Sequence, residues 1–548
     1  MYKNSRLFLI PFVMIFLLFI QNAFCFEALN GNLDITGFIR NDSAVRLSDG
    51  QKQLHGKDVL VSTSDGVTTT EAQGFESGDY YLCRNTLQVE VNWSMTKNLD
   101  VFGIWRGFYD AALEINRDFE QNMIDAGSSK EIDGYERDHE LREFYVNLTP
   151  GNWVFRIGKQ QIVWGESDGF RMADIINPLD YSWHYFFPSW EDIRIPLWGV
   201  DIMYGIPTGH EYTFEFVWLP GAFNTGFQPN KLAPTGSNWS TGFFNQYFHQ
   251  GIDMGLAPGM DVMFPGVISG ATNPQTGTLQ FFMESMEDSV PDNSIKNSEL
   301  GMKISARYGG FDVSIFDFYC RNDSPVFEED WFIKFLTGVG GGNLYDFQDE
   351  MFQYKWVNKI GATFNVYESI TKAVFRGECV YTKDEPFLPR NPFPENALLS
   401  FMGMAPPQTI KNYYKDTYAY MLGFDRPTMF PFLNRARSFF ISGQIFQKYI
   451  LDFDDDMTTM DMSNDDVQTL FTLLINTGFR NDTVLPQIFM MYDASGEGWA
   501  QPQVEFVYGD YIRFGVGANI LLSNDKKQAY FGGMRDNDDI YAWLSFAW

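Results

Sequence analysis

Apolar and polar side chains alternate with a period of two residues through most of this chain. In residues 82–93 the apolar positions are Cys83, Leu87, Val89, Val91 and Trp93, and the polar ones are Arg84, Thr86, Gln88, Glu90 and Asn92. Any half-buried antiparallel strand alternates in this way. Here, however, the polar face also carries charges in strand after strand, and the apolar face is rich in aromatic residues at its ends. Both features are typical of outer-membrane barrels, in which apolar side chains face lipid and polar ones face the lumen.

The alternation predicts an all-β fold, a single transmembrane antiparallel β-barrel of about 18 strands, with 16 as the alternative count. Bacterial single-chain barrels have an even number of strands. The predicted strands lie near residues 33–43, 81–93, 98–109, 140–148, 153–164, 194–206, 211–219, 299–308, 311–320, 352–366, 370–382, 412–424, 436–449, 466–478, 483–493, 499–508, 511–522 and 538–548.

The links between these strands are alternately short and long. Short links such as 149–152 and 309–310 are rich in Gly, Pro and Asn, which suit tight turns. The long links are about 44–80, 110–139, 165–193, 220–298, 321–351, 383–411, 450–465 and 523–537. Short periplasmic turns and long outer loops distinguish the two ends of such a barrel, so an N-terminus inside the cell envelope places every long link outside. The link 494–498 departs from this alternation because it is short.

The first 25 residues read as a signal peptide, which leaves 26–548 as the barrel. Lys3 and Arg6 precede the apolar stretch 7–20, which is too short to span a membrane comfortably, and Ala23 to Cys25 fits a cleavage site. A lipoprotein acylated at Cys25 is the alternative, but Phe24 stands where that route requires a small residue.

The chain ends on an alternating aromatic strand, D-I-Y-A-W-L-S-F-A-W, whose last residue is Trp548. This pattern resembles the C-terminal strand that the outer-membrane assembly machinery reads. We therefore expect Phe546 and Trp548 to form the assembly signal. An ordinary edge strand is the alternative, but an exposed aromatic edge at the end of a soluble chain would promote aggregation.

Composition narrows the function classes. Seventy Asp and Glu against 40 Lys and Arg give the 548 residues a net charge of -30, which disfavours nucleic acid as a partner. Aromatic residues make up 17%, which excludes a disordered chain. A mean hydropathy of -0.22 argues against a bundle of spanning helices.

Several polar positions are candidates for a site in the lumen. The predicted lumen-facing residues are Arg84, Glu90, Arg156, Gln160, Glu215, Lys303, Arg307, Glu505 and Arg513. The link 165–193 would narrow the pore if it folds inward, and its constriction candidates are Glu166, Asp168, Arg171 and Asp180. A loop packed on the barrel rim is the alternative. The longest link, 221–297, is rich in aromatic residues and glycine and is predicted to be a plug or an outer lid.

No motif for catalysis or for a cofactor stands out, so we expect neither an enzyme nor a bound metal. Residues 165–169 match the pattern G-x-S-x-G, but Ser167 would leave a barrel strand instead of entering the strand–turn–helix that a nucleophile elbow needs. The odd count of Cys83, Cys320 and Cys379 after cleavage does not suit a disulfide framework. The acidic tract 452–456 lacks the spacing of a calcium loop, so we expect it to face solvent or lipopolysaccharide.

One pair of motifs is similar to those of a known family. Residues 156–166 read R-I-G-K-Q-Q-I-V-W-G-E, and 176–180 read I-N-P-L-D. The pair resembles a family of uncharacterised Gram-negative outer-membrane barrels, domain-of-unknown-function family thirteen-zero-two. Its strand half also occurs in several porins, whereas W-G-E followed by I-N-P-x-D is more specific. The resemblance would cover essentially the whole mature chain, and it brings no catalytic residues.

The resemblance implies transport of hydrophobic cargo, since members are often encoded beside exporters of the resistance-nodulation-division type. We therefore expect an outer-membrane conduit for hydrophobic or amphipathic molecules, coupled to such an exporter. The alternative is a general diffusion porin for small hydrophilic solutes, which the mixed charges of the predicted lumen favour. Outer-membrane lipid, lipopolysaccharide and the assembly machinery are the other expected partners.

Overall fold

The computed structural model describes the barrel and parts of its loops. The described residues are 26–28, 31–47, 59–63, 66–70, 77–117, 136–168, 170–180, 189–207, 211–221, 289–331, 333–334, 350–389, 400, 404–458, 465–522 and 538–548. The predicted signal peptide, 1–25, and most of the predicted plug or lid, 221–297, lie outside them.

Eighteen long strands form the wall of the molecule. In chain order they are β1 Leu33–Arg46, β2 Tyr80–Thr96, β3 Leu99–Asp110, β4 Arg137–Leu148, β5 Trp153–Gln160, β6 Leu197–Pro207, β7 Glu211–Leu219, β8 Glu299–Tyr308, β9 Phe311–Arg321, β10 Trp356–Glu368, β11 Ala373–Phe387, β12 Tyr413–Thr428, β13 Phe439–Ile450, β14 Val467–Asn476, β15 Val484–Asp493, β16 Glu497–Tyr508, β17 Ile512–Leu522 and β18 Asp539–Ala547.

The sheet closes on itself. Every strand pairs antiparallel with the next one along the chain, and β18 pairs with β1 from Phe38 opposite Ala547 to Arg46 opposite Asp539. A short strand, Phe26–Ala28, pairs with the rest of β1 beyond the end of β18. The predicted antiparallel barrel of about 18 strands is therefore confirmed, and closure leaves no long unpaired edge.

The two faces of the wall differ as the alternation predicts. On β9, Ile315 is 66% exposed, whereas its neighbours Ser314 and Phe316 are buried. The buried face of β2 is polar, with Arg84 and Gln88 each only 5% exposed. Exposed aliphatic residues on many strands form an apolar outer belt, and the interior is lined by polar side chains on some strands and by aromatic ones on others. This is the arrangement of a transmembrane barrel.

Turn chemistry explains the short links. Tyr308 and Phe311 pair directly, so the β8–β9 link contains only Gly309 and Gly310, with φ of 60° and 86°. Two consecutive residues at positive φ define the turn that best matches the twist of a hairpin, and glycine adopts it without strain. The link between β15 and β16 is also short, as expected, because Asp493 pairs with Glu497.

The long links contain smaller elements. Two short antiparallel pairings join Val59–Thr63 to Gly66–Thr70 and Val326–Phe327 to Phe352–Gln353. Short helices span Ala112–Ile115 and Trp190–Ile193, and a 3-10 turn spans Ile295–Asn297. Among the described helices, none combines the length and apolarity required to cross a membrane.

Candidate functional site

The described residues of the link between β5 and β6, residues 161–196, lie inside the barrel, and we call this link the internal segment. Of this link, 169 and 181–188 lie outside the described residues. One part contacts side chains of β1, β3 and β4, and another contacts β7, β9, β11 and β13. Because these groups of strands lie on opposite sides of the closed sheet, a segment that touches both runs through the lumen. The sequence left open whether this link folds inward or packs on the rim, and the structure has the inward arrangement.

Asn177 joins the two ends of the internal segment. Its side-chain oxygen accepts a hydrogen bond from the Ile162 backbone N–H at 2.7 Å, and its amide nitrogen donates to the carbonyls of Ile195 at 2.9 Å and Gln160 at 3.3 Å. Asn177 is fully buried. A second hydrogen bond lies beside it: the Ile195 N–H donates to the Pro178 carbonyl at 2.8 Å. The I-N-P-L-D motif thus closes a loop within the segment.

Trp164 of the W-G-E motif anchors the segment to the inner wall. Its indole N–H donates to Glu215 on β7 at 2.6 Å, and Lys303 on β8 lies 3.2 Å from the same carboxylate. The ring packs against Phe316 on β9 with centroids 5.3 Å apart. A Cβ at the next position, Gly165, would lie 2.7 Å from the backbone nitrogen of Asp174 in the same segment, so only glycine fits there.

A cluster of polar side chains on β11 and β13 holds the tip of the segment. Glu378 accepts hydrogen bonds from the backbone N–H groups of Glu166 and Ala173, the latter at 2.8 Å. Arg376 donates to the Glu166 carbonyl and to the Asp168 carboxylate. Gln444 on β13 accepts from the Asp168 N–H at 3.1 Å. We call Arg376, Glu378 and Gln444 the latch, because they bind the backbone of the segment from the wall.

Asp192 anchors the other end through arginines of three strands. Arg106 lies 2.6 Å and Arg40 3.5 Å from its carboxylate, and Arg142 donates to the backbone carbonyls of Glu191 and Asp192. Burial by itself would raise the pKa of Asp192, but the three guanidinium groups outweigh burial and hold the pKa below the ordinary aspartate value. The carboxylate therefore stays ionised at neutral pH, and these ion pairs persist.

Beneath the segment, the inner wall is apolar. The buried cluster comprises Ile162, Trp164, Ala173 and Ile176 of the segment, with Leu197, Val217, Leu219, Phe316, Phe318, Cys320, Val357 and Val380 of the strands. Further along, Phe170 packs on Phe446 of β13 with ring centroids 5.4 Å apart. The segment therefore covers an apolar part of the wall, while its polar groups bind the latch and the arginines.

The remaining candidates from the sequence fall into three groups. Arg84 pairs with buried Asp110 at 3.4 Å, and Glu90 accepts a hydrogen bond from Gln88 at 2.6 Å, so both belong to networks on the inner wall. Arg156 donates to Asn147 at 3.0 Å on the same wall.

Gln160 is fully buried at the start of the internal segment, where its amide donates to the Gly199 carbonyl at 3.2 Å. Arg171 and Asp180 lie in the segment itself: the Arg171 guanidinium donates to the Asp174 carbonyl, and the Asp180 N–H donates to Ile193 at 2.7 Å.

Three candidates lie away from the internal segment, near the short turns. Arg307 is paired with Glu211 and Asp312, and its side chain is 62% exposed. Arg513 pairs with Glu505 at 3.0 Å and is 58% exposed. These ion pairs belong to the solvated end of the barrel.

Sequence reasoning missed most of the residues that hold the segment. Arg376 and Glu378 occupy alternate positions of a predicted strand, and Arg40, Arg106 and Arg142 are likewise strand residues. Charged residues at alternate positions of a strand predict which side chains face inward. They do not predict which loop those side chains contact.

The candidate nucleophile Ser167 lies in irregular chain, and residues 161–168 and 170–180 contain no helix that would complete a nucleophile elbow.

The chain belongs to the family described as "Protein of unknown function (DUF1302)", whose model matches residues 10–546. This match confirms the resemblance that the W-G-E and I-N-P-L-D motifs indicate. No curated protein matches the sequence.

Solved outer-membrane channels have a similar architecture. OccAB3 of Acinetobacter baumannii is 7% identical, with 94% of this chain and 99% of that chain covered and a TM-score of 0.46. The outer membrane protein opdK of Pseudomonas aeruginosa is 6% identical over 94% and 98% of the two chains, with a TM-score of 0.41. The outer membrane channel DcaP of Acinetobacter baumannii is 10% identical over 95% and 99%, with a TM-score of 0.35.

Proposed function

We propose that this protein is an outer-membrane conduit for hydrophobic or amphipathic molecules, gated by the internal segment. The observation that carries the proposal is the apolar inner wall beneath the segment, with Phe316, Phe318 and Val380 buried against Trp164. An aqueous pore gains nothing from aromatic side chains on its inner face, whereas an amphipathic cargo needs an apolar surface to slide along. Displacement of the segment would expose that surface.

The membrane assignment rests on the wall of the barrel. A closed antiparallel sheet with an exposed apolar belt satisfies its backbone hydrogen bonds internally, which is what a lipid bilayer requires. Chains of this architecture reside in the outer membrane of Gram-negative bacteria. An exporter of the resistance-nodulation-division type remains our proposed partner on the periplasmic side, on the family resemblance alone.

A general diffusion porin is the second candidate, and one observation favours it. The wall of β1 to β3 is polar on its inner face, with Arg84, Gln88 and Asp110 buried in networks of charge and hydrogen bonds. If water fills the lumen beside this wall, small hydrophilic solutes can pass without movement of the segment.

Weakening the latch by mutation distinguishes the gated conduit from the diffusion porin. Glu378→Ala removes the acceptor for two backbone N–H groups of the segment, so it should loosen the tip without changing the belt. Reconstituted barrels are compared for conductance in planar bilayers and for binding of an apolar fluorescent dye. Glu505→Ala, near the short turns, is the matched control.

A gated conduit predicts that Glu378→Ala raises both dye binding and conductance above wild type, while the control changes neither. Higher conductance without dye binding would favour the porin. If Glu378→Ala leaves both measurements at the wild-type level, the internal segment does not act as a gate.

A further inference from the structure

A cationic pocket opens at the end of β8, β9 and β10 that carries the long links. Its volume is about 440 Å³, within the usual range of ligand pockets. Its lining combines the stretch before β8 with the ends of β9 and β10 and includes Asp292, Lys296, Asn297, Arg321, Lys355 and Trp356. None of these residues takes part in the internal segment.

The pocket borders the apolar outer belt. Arg321 and Trp356 are paired across β9 and β10, and the guanidinium lies 4.6 Å from the ring centroid. Trp356 also stacks on Tyr319, two positions before Arg321 on the same face of β9, with centroids 4.8 Å apart and planes 3° from parallel. Tyr319 is 47% exposed and lies on the same outward face of β9 as Val313 and Ile315 of the belt, beyond the exposed Asp317. The pocket therefore opens just beyond the belt, at the depth of lipid headgroups.

The charges in the pocket are unbalanced. Lys296, Arg321 and Lys355 face a single lining carboxylate, Asp292. Among the described residues, neither lysine ammonium lies within ion-pair distance of a carboxylate. Arg321 is held by the Tyr354 carbonyl and by Asn297 at 2.7 Å, and its buried Nε has no partner in the described part of the chain. A chain with a net charge of -30 thus concentrates three cations at one place on its rim.

We infer that this pocket binds the phosphorylated glucosamine headgroup of lipid A. A fixed arginine and two lysines without a carboxylate partner, of which Lys355 lies 5.7 Å from the Tyr414 ring centroid, suit phosphate oxygens, since guanidinium matches their geometry and ammonium groups act as point charges. Aromatic rings at this depth pack against the sugar and the first carbons of the acyl chains. The long links place the pocket in the outer leaflet, where lipid A is the anionic lipid. The inference stands apart from the proposed transport function, because it uses none of the same residues.

The test measures binding of a fluorescent lipid A by anisotropy, with the purified barrel in detergent. Lys296→Gln combined with Lys355→Gln removes the two lysine charges and leaves the Arg321 framework in place. Lys97→Gln combined with Lys411→Gln, at exposed lysines elsewhere, is the matched control. Heat-modifiable migration on gels shows that each variant is folded.

The pocket variant should bind lipid A roughly 10- to 30-fold more weakly than wild type, while the control keeps the wild-type affinity. Lipid A freed of its phosphates should bind as weakly to wild type as intact lipid A binds to the pocket variant. Equal affinities of the two double variants, or of intact and dephosphorylated lipid A, would overturn the inference. Equal binding of phosphatidylglycerol would also overturn it, since the pocket would then recognise anionic lipids in general.

Discussion

At the scale of single residues, the two sequence motifs have clear physical roles. Trp164 and Gly165 place an indole against the inner wall and let two stretches of chain approach closely. Asn177 satisfies a backbone N–H and two carbonyls that the turn of the chain leaves unpaired. The sequence alone shows that these residues form a motif. It does not show the partners, because Glu215 and Glu378 lie 51 and 212 positions away from the segment residues they bind.

The first prediction concerns Asn177. Asn177→Ala should leave the Ile162 N–H and the Ile195 carbonyl without partners in a buried site, at a cost of roughly 2–4 kcal/mol for the docked segment. Amide hydrogen exchange of residues 161–168, measured by mass spectrometry on the folded barrel, should therefore accelerate by a factor of roughly 30 or more.

The control is Asn434→Ala, which removes another buried asparagine. Asn434 lies in the turn between β12 and β13 and donates to the Gly478 carbonyl in the turn between β14 and β15. It should accelerate exchange in its own turn and leave 161–168 unchanged. An equal response of the two variants at 161–168 would mean that Asn177 does not hold the segment in particular.

At the scale of elements, the period of two predicts strands well and their ends less well. β5 ends at Gln160, although alternation continues to 164, because the chain leaves the sheet to enter the lumen. β10 begins at Trp356, although the pattern starts at 352, because Phe352–Gln353 pairs with a loop strand instead. In both places the alternation of apolar and polar side chains continues from the barrel strand into the loop. The residues differ only in the backbone segment with which they form hydrogen bonds, and a single sequence does not reveal that segment.

The second prediction concerns the closing strand. The Trp548 N–H and carbonyl exchange hydrogen bonds with Gly37 at 3.0 and 3.2 Å, and the indole covers this glycine, where a Cβ would lie 2.7 Å from the ring. Trp548 therefore completes the seam between β18 and β1 in addition to its proposed role as an assembly signal. Deleting it should lower the amount of heat-modifiable barrel in outer-membrane fractions several-fold.

Two further variants separate the roles of ring and backbone. Trp548→Phe keeps an aromatic terminus and both hydrogen bonds, so its level should match wild type. Trp548→Ala keeps the hydrogen bonds and loses the ring, so a low level would assign the effect to the ring. Wild-type levels of the deletion variant would show that neither role matters for assembly.

At the scale of the whole molecule, charge is distributed unevenly. Several inner arginines pair with carboxylates of the wall or of the internal segment, as Arg106 does with Asp192. The acidic excess therefore lies elsewhere, and part of it is in the exposed link after β13, where Asp452, Asp455 and Asp456 are exposed. Composition predicts this excess, and alternation predicts a polar inner face. Neither predicts that the segment covers an apolar cluster on one part of the wall and pairs with arginines of β1, β3 and β4 on another, since that depends on contacts between distant strands.

The last prediction fixes the orientation of the barrel, on which the lipid A site depends. Asp455→Cys lies in a long link and Asp510→Cys in the short turn between β16 and β17, and both positions are exposed. Asp510 is a better probe of the short-turn side than Gly309, whose φ of 60° disfavours any side chain. Each cysteine is introduced in a background without the native thiols Cys83, Cys320 and Cys379. On intact cells, an impermeant maleimide should label position 455 and spare position 510, because long links face outward in outer-membrane barrels.

Lysed cells should show labelling at both positions, which controls for reactivity. Labelling of 510 but not 455 on intact cells would invert the barrel and move the cationic pocket to the periplasmic leaflet, where lipid A is absent.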